Sequence, residues 1–186
     1  IAATMLGLNA CSSGPKIFVN ENPSADFTNY TTYNFEPRLG TDKRDGVRSI
    51  LSNFLVAAAD NEMQARGYQR SDNPDLVLNF YLHTKEKIRT TSSPSTVGYY
   101  GYRRGRYNAY GGYETQVTQY TEGTLNLDIV DNRSAQLAWE GIAIGRVNDK
   151  VLKNLEAATN AAIAEIFGRF PHTAPGFISQ LPTEGR

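Results

Sequence analysis

Between Asp75 and His83 the chain alternates strictly: Leu76, Leu78, Phe80 and Leu82 fall on one side of an extended backbone, and Val77, Asn79, Tyr81 and His83 on the other. The alternation returns at Leu125, Leu127 and Ile129, set among Asn126, Asp128 and Val130. Strands of this kind bury one face only. Their sheet therefore needs a cover on one side and meets water or a partner on the other. Asp131-Asn132-Arg133-Ser134 supplies a turn, after which Leu137 to Val147 returns as the second arm of a hairpin. That return strand holds Trp139, Gly141 and Gly145 and has no clean phase, which predicts a bulge or a close helix contact.

Two helical patterns can provide the cover. Asp42 or Asp45 caps the first, and Val47, Ile50, Leu51, Phe54, Leu55 and Ala58 recur at spacings of three and four until Gly67 offers a left-handed stop. The second starts at Asn148 or Asp149, places Leu152, Leu155, Ala162, Ile163, Ile166 and Phe167 on one side, and ends at Pro171. An earlier strand spans Phe27 to Phe35, with Phe27, Tyr33 and Phe35 on its apolar side. The order β-α-β-β-β-α then gives an α+β fold, a two-layer sandwich with a mixed sheet and both helices on one face. The first crossover makes strands one and two parallel. The single domain is expected over residues 26–171, with a Ser/Asn/Pro/Gly tether over 11–25 and a loosely held tail over 172–186.

The only cysteine, Cys11, follows Leu8-Asn9-Ala10 and precedes Ser12-Ser13. A short apolar run ending in a small residue before a cysteine is the pattern of a lipoprotein signal, cut before the cysteine, which is then acylated. Residues 1–10 are then a signal remnant, too short to cross a bilayer. One cysteine forms no internal disulfide. Nineteen basic residues cancel nineteen acidic ones, which removes the broad positive field of a duplex-binding protein.

Several blocks together carry a family resemblance. They are Ala25-Asp26-Phe27-Thr28-Asn29-Tyr30-Thr31-Thr32-Tyr33-Asn34-Phe35, Ala65-Arg66-Gly67-Tyr68, Pro74-Asp75-Leu76-Val77-Leu78-Asn79-Phe80, the run Tyr120 to Asp131, Leu137-Ala138-Trp139-Glu140-Gly141, and Ile166-Phe167-Gly168-Arg169-Phe170-Pro171. Over roughly Asp26 to Pro171 the chain resembles the lipoproteins grouped as domain of unknown function family 4136. The resemblance implies an envelope lipoprotein with a compact α/β domain, and it carries over no catalytic residue. Similarity to sorted lipoproteins, in which an acidic residue after the cysteine marks retention, makes Ser12 favour the outer membrane, on its periplasmic side. Physically, each block is first a fold instruction: Gly67 stops a helix, Pro74-Asp75 opens a strand, and Trp139 reads as a core plug.

Chemistry-bearing residues are sparse. His83 falls on the polar side of its strand and His172 in the tail, and neither has a nearby metal-binding partner. Asp128 and Asp131 lack the third acid and the glycine of a calcium loop. No glycine cluster ends in the Gly-Lys-Ser/Thr of a phosphate loop, and no cofactor is implied. A hydrolase working through His83 with a carboxylate such as Asp128 is the alternative to a non-enzymatic binding or scaffolding domain. The unusual segment is Gly98 to Tyr113, a loop between strands two and three. It holds six of the eleven tyrosines and three arginines without an acid: Tyr99, Tyr100, Tyr102, Arg103, Arg104, Arg106, Tyr107, Tyr110 and Tyr113. Such a mixture suits recognition of an envelope protein or glycan by stacking and cation–π contact, or is a passive loop. Nucleic acid is a poor partner for an exported chain. The membrane is reached through acylated Cys11.

Overall fold

The structure, a computed structural model, describes residues 14–95 and 112–177. Six strands, β1 (Lys16–Glu21), β2 (Thr32–Phe35), β3 (Gln69–Arg70), β4 (Leu76–Ser95), β5 (Gly112–Asp131) and β6 (Gln136–Val147), form one sheet in the order β1-β6-β5-β4-β2-β3. β2 is parallel to β3 and β4, and every other pairing is antiparallel. The helices are α1 (Ile50–Gln64), α2 (Asp149–Lys153) and α3 (Leu155–Phe167).

The alternation decides the layering. Leu76, Leu78, Phe80, Leu127, Ile129 and Trp139 are buried against Leu55, Ala59 and Met63 of α1 and Ile163, Ile166 and Phe167 of α3. Asn79, Tyr81, Asn126, Asp128 and Glu140 occupy the intervening positions on the open face. The fold is the expected two-layer α+β sandwich with a mixed sheet. β6 also shows both irregularities expected of it. Its register with β5 slips between Ile129 and Val130, leaving Ala138 as an extra residue. At Gly141 a Cβ would stand 2.4 Å from Ile166 Cγ2, so only glycine admits α3 this closely.

Five boundaries differ from the sequence reading. Lys16–Glu21, placed in the tether over 11–25, is the edge strand of the sheet, paired from Lys16 opposite Ile144 to Glu21 opposite Trp139. Backbone bonds hold it while most of its side chains stay exposed, so it carries no apolar period to read. The strand expected over Phe27 to Phe35 opens as a 3-10 turn at Phe27–Asn29, capped by Asp26, and only Thr32–Phe35 pairs. Ser49 caps α1 in place of Asp42 or Asp45, its hydroxyl accepting from the Ser52 N–H, while Asp42 accepts the Leu39 N–H. Val47 and Ile50 are consequently exposed. The last helix starts at the Asn148 cap as expected but breaks at Asn154, which leaves Leu152 in solvent.

The fifth correction concerns the tail over 172–186. His172 stacks flat on Phe27 at 3.8 Å with its Nε2 3.1 Å from a Glu21 oxygen, buried Ala174 donates its N–H to the Arg66 carbonyl, and Phe177 lies against Gly67. Gly67 has φ +84°, the left-handed stop expected of it, and its missing side chain makes room for Phe177. Residues 172–177 therefore pack on the domain because the 65–68 turn has a bare backbone to receive them. Residues 178–186 lie outside the described residues.

Asp75 ties the start of β4 to the chain entering β2. Its carboxylate accepts from the Thr31 and Thr32 N–H groups and the Thr32 hydroxyl and meets Arg133 at 3.2 Å. Burial alone would raise its pKa, but these bonds outweigh burial and hold it at about 2, below the ordinary 3.8. A lowered carboxylate stabilises the fold above its unfolded pKa, and the contribution disappears as pH falls through the folded value. Asp75→Asn is expected to lose about 1–2 kcal/mol at neutral pH. The gap to the parent should close as denaturant melts are taken down from about pH 4 to about pH 2.

Candidate interaction site

β4 and β5 run on far past their neighbours. β2 ends at Phe35 opposite Leu78, and β6 ends at Val147 opposite Thr121. From Lys87 opposite Tyr120 to Ser95 opposite Gly112 the two strands pair with each other alone. At ~3.4 Å per residue this two-stranded arm extends about 30 Å beyond the three-stranded part of the sheet. Its residues include Ile88, Thr90, Thr91, Thr115, Val117 and Thr118, branched types that favour extended backbone without a buried face.

The arm is fixed at its base. Gly123 has no side chain, and Val147 and Leu82 close over it: a Cβ there would meet Val147 Cγ2 at 2.8 Å. Lys87 pairs with Glu122, whose hydrogen bond raises the Lys87 pKa, and the Arg146 guanidinium lies 4.3 Å above the Tyr120 ring. Farther out the two faces differ. One displays Ile88, 65% exposed, and Val117, 61% exposed; the other displays Lys85, Lys87 and Arg89. Beside the arm base, Ile50 and Phe54 of α1 and Leu152 and Leu155 beyond it line an open cleft of about 440 Å³.

On the open face of the sheet Asp128 stands opposite Glu140. Glu140 accepts from Asn20 at 2.8 Å and Asn126 at 3.1 Å, while the buried Asp128 Oδ1 has no hydrogen-bond partner among the described residues. Burial, and then the Glu140 charge, push the Asp128 carboxyl above its ordinary value.

His83 and Asp128 are not brought together. Exposed His83 faces Thr124, whereas Asp128 faces Asn79, four positions along β4 and so about 13 Å away. Asp131 serves the turn, accepting from the Arg133 and Ser134 N–H groups and the Tyr30 hydroxyl. Of the tyrosine and arginine positions named in the Gly98 to Tyr113 segment, Tyr113 belongs to β5, where it pairs with Pro94. Tyr99, Tyr100, Tyr102, Arg103, Arg104, Arg106, Tyr107 and Tyr110 lie outside the described residues, as does Cys11. The arm itself escaped the sequence reading. Its signal was a Thr-rich run on each side of the Tyr/Arg segment, Thr84 to Ser93 and Glu114 to Glu122, each free of glycine and proline.

Display of side chains along a projecting ribbon is what this arrangement can do chemically, and two solved structures, similar at TM-scores of 0.54 and 0.55, agree in fold. A DUF4136 family protein from Bacteroides thetaiotaomicron is similar at 15% identity and a TM-score of 0.54, over 88% of this chain and 99% of its own. A PDZ domain protein from Parabacteroides distasonis is similar at 16% identity and a TM-score of 0.55; the alignment covers 88% of this chain and 38% of that longer one. A PelC dodecamer from Paraburkholderia phytofirmans aligns at 13% identity and a TM-score of 0.45, over 86% of this chain and 98% of that one. No curated protein matches. Residues 17–172 match DUF4136, a domain of unknown function, across nearly the whole described domain including the edge strand, and the chain belongs to that family.

Proposed function

We propose that this chain is a cell-envelope lipoprotein, held by acylated Cys11 on the periplasmic side of the outer membrane. There it acts as a non-enzymatic binding or scaffolding domain through the β4–β5 arm and the Tyr/Arg segment that joins its strands. The observation that carries the reading is the arm. It extends about 30 Å past the covered sheet, and Ile88 and Val117 on it bury nothing of the core. A structure built so is made for contact outside itself. Support for the anchor is the Leu8-Asn9-Ala10-Cys11 pattern, five residues before the edge strand begins at Lys16. At most ~17 Å of chain then separates the acylated residue from the sheet. The hydrolase reading gains no such support, since His83 and Asp128 stand apart on the ladder.

The experiment is Cys11→Ala followed by membrane fractionation. Two or more acyl chains are needed for stable attachment, because each buried methylene contributes only ~0.8 kcal/mol. The variant should move from the membrane to the soluble fraction. Tight attachment of Cys11→Ala would overturn the anchor.

A further inference from the structure

We infer that the arm end of the molecule is a docking surface for an anionic lipid bilayer. This deepens the anchored-lipoprotein reading and rests on it for the direction in which the chain faces. The topology gathers five pieces of chain at that end: the start of β1, the 36–49 segment leaving β2 and entering α1, the arm, the last residues of β6, and α2.

The chain is neutral overall, yet its charge is sorted along this axis. All six lysines, Lys16, Lys43, Lys85, Lys87, Lys150 and Lys153, lie at the arm end. Lys16 with residues 36–49, 82–95, 112–125 and 143–156 carries eleven basic against eight acidic groups, and the rest of the described residues four basic against ten acidic. Among the described residues, Arg48 and Lys87 are the basic groups of the arm end held in ion pairs, with Asp42 and Glu122. Apolar groups stand among the free ones: Val47, Ile50, Leu82, Ile88, Val117 and Leu152 are six of the eleven exposed large hydrophobic side chains among the described residues. Lysines mixed with exposed aliphatic side chains match a bilayer interface, where phosphates take the charge and the acyl boundary takes the apolar groups.

The exit of the chain points the same way. Lys16 opens β1 opposite Ile144, close to the end of β6, and Pro15 lies against Gly145. Gly14 and Pro15 therefore enter β1 at the arm end, and with Cys11 only five residues before Lys16, acyl chains on it would insert beside the lysines. The opposite end, with Asp26, Asp60, Glu62, Asp72 and Asp75, would face away from the lipid.

The test uses the full chain as Cys11→Ser, so that no acyl group contributes, in flotation with vesicles of phosphatidylethanolamine and phosphatidylglycerol or of phosphatidylcholine alone. The chain should float with the anionic vesicles at low salt and stay behind with the neutral ones. It should be released at about 0.5 M salt, where screening acts within a few ångströms. Reversing Lys43, Arg44, Lys150 and Lys153 to Glu should lower partitioning at least about tenfold, whereas Arg169→Glu at the far end should not change it. Melting curves identify a reversed chain that has failed to fold, in which case Lys16→Glu with Lys85→Glu replaces it. The proposal is overturned if the Cys11→Ser chain ignores anionic vesicles, if charge reversal in a folded chain leaves binding intact, or if these residues are occupied by a second copy in a salt-resistant dimer. The anchor is judged separately: a soluble wild-type chain in fractionation would remove it while vesicle binding by Cys11→Ser could still stand.

Discussion

Trp139→Ala should remove about 3–5 kcal/mol of stability, the range for deleting a large aromatic from a close-packed core. Trp139 is 1% exposed on β6, meets the Phe170 ring edge-to-face at 5.1 Å and lies against the bare backbone of Gly141. Phe170 in turn contacts Phe27, Tyr68, Phe167 and His172. Loss of the indole therefore leaves a hole where β6, α3 and the chain after α3 converge. Gly141 and the helix above it cannot collapse into that hole without moving α3, so the cavity term should persist. Domains of this size hold only about 5–15 kcal/mol in all, which makes the variant marginal at physiological temperature. Because Trp139 is the only tryptophan, unfolding should be followed by circular dichroism in denaturant. The open-face variant Tyr81→Ala is the control and should lose far less. Equal losses would mean that the two faces of the sheet are not unequal in burial.

That inequality was legible in the residues themselves. Leu76, Leu78 and Phe80 announce a one-sided strand, and every one is fully buried. Gly67, Trp139 and Gly141 likewise perform the parts their chemistry implied. Elements held by backbone bonds alone were less visible. β1 exposes Phe18, Val19 and Asn20 and stays in place through its ladder with β6, so its side chains carry no burial period. The arm is the same case at larger scale: a two-stranded ribbon with both faces in water shows no alternation of apolar and polar residues, so the periodicity stops at His83 and resumes at Leu125 while the strands run on. Charge sorting was hidden for a different reason. Lys16, Lys43, Lys85 and Lys150 are far apart in sequence, and only the parallel β2–β4 crossover and the β5–β6 hairpin bring their segments to one end.

Removing the arm should leave the fold nearly untouched and abolish most of the binding. In such a chain Lys87 to Tyr120 is replaced by a tight Asn-Gly turn between Glu86 and Thr121, a connection whose backbone twist suits the flanking strands. Among the described residues, none of the buried core lies in the deleted stretch. Loop-closure entropy changes by only about 0.6 kcal/mol per twofold change in loop length, so shortening the connection has little thermodynamic weight. What is lost is the Tyr/Arg segment together with Lys87, Ile88, Arg89, Val117 and the Lys87–Glu122 pair at the base, these last all on the surface. The decisive measurement compares binding of the parent and the arm-less chain, both as Cys11→Ser, to isolated envelope membranes at matched concentrations, with melting temperatures recorded for both. An arm-less chain that melts like the parent and binds the membranes severalfold less is the predicted result; one that melts alike and binds equally well would show that the arm is not the binding element, and the account would fail there.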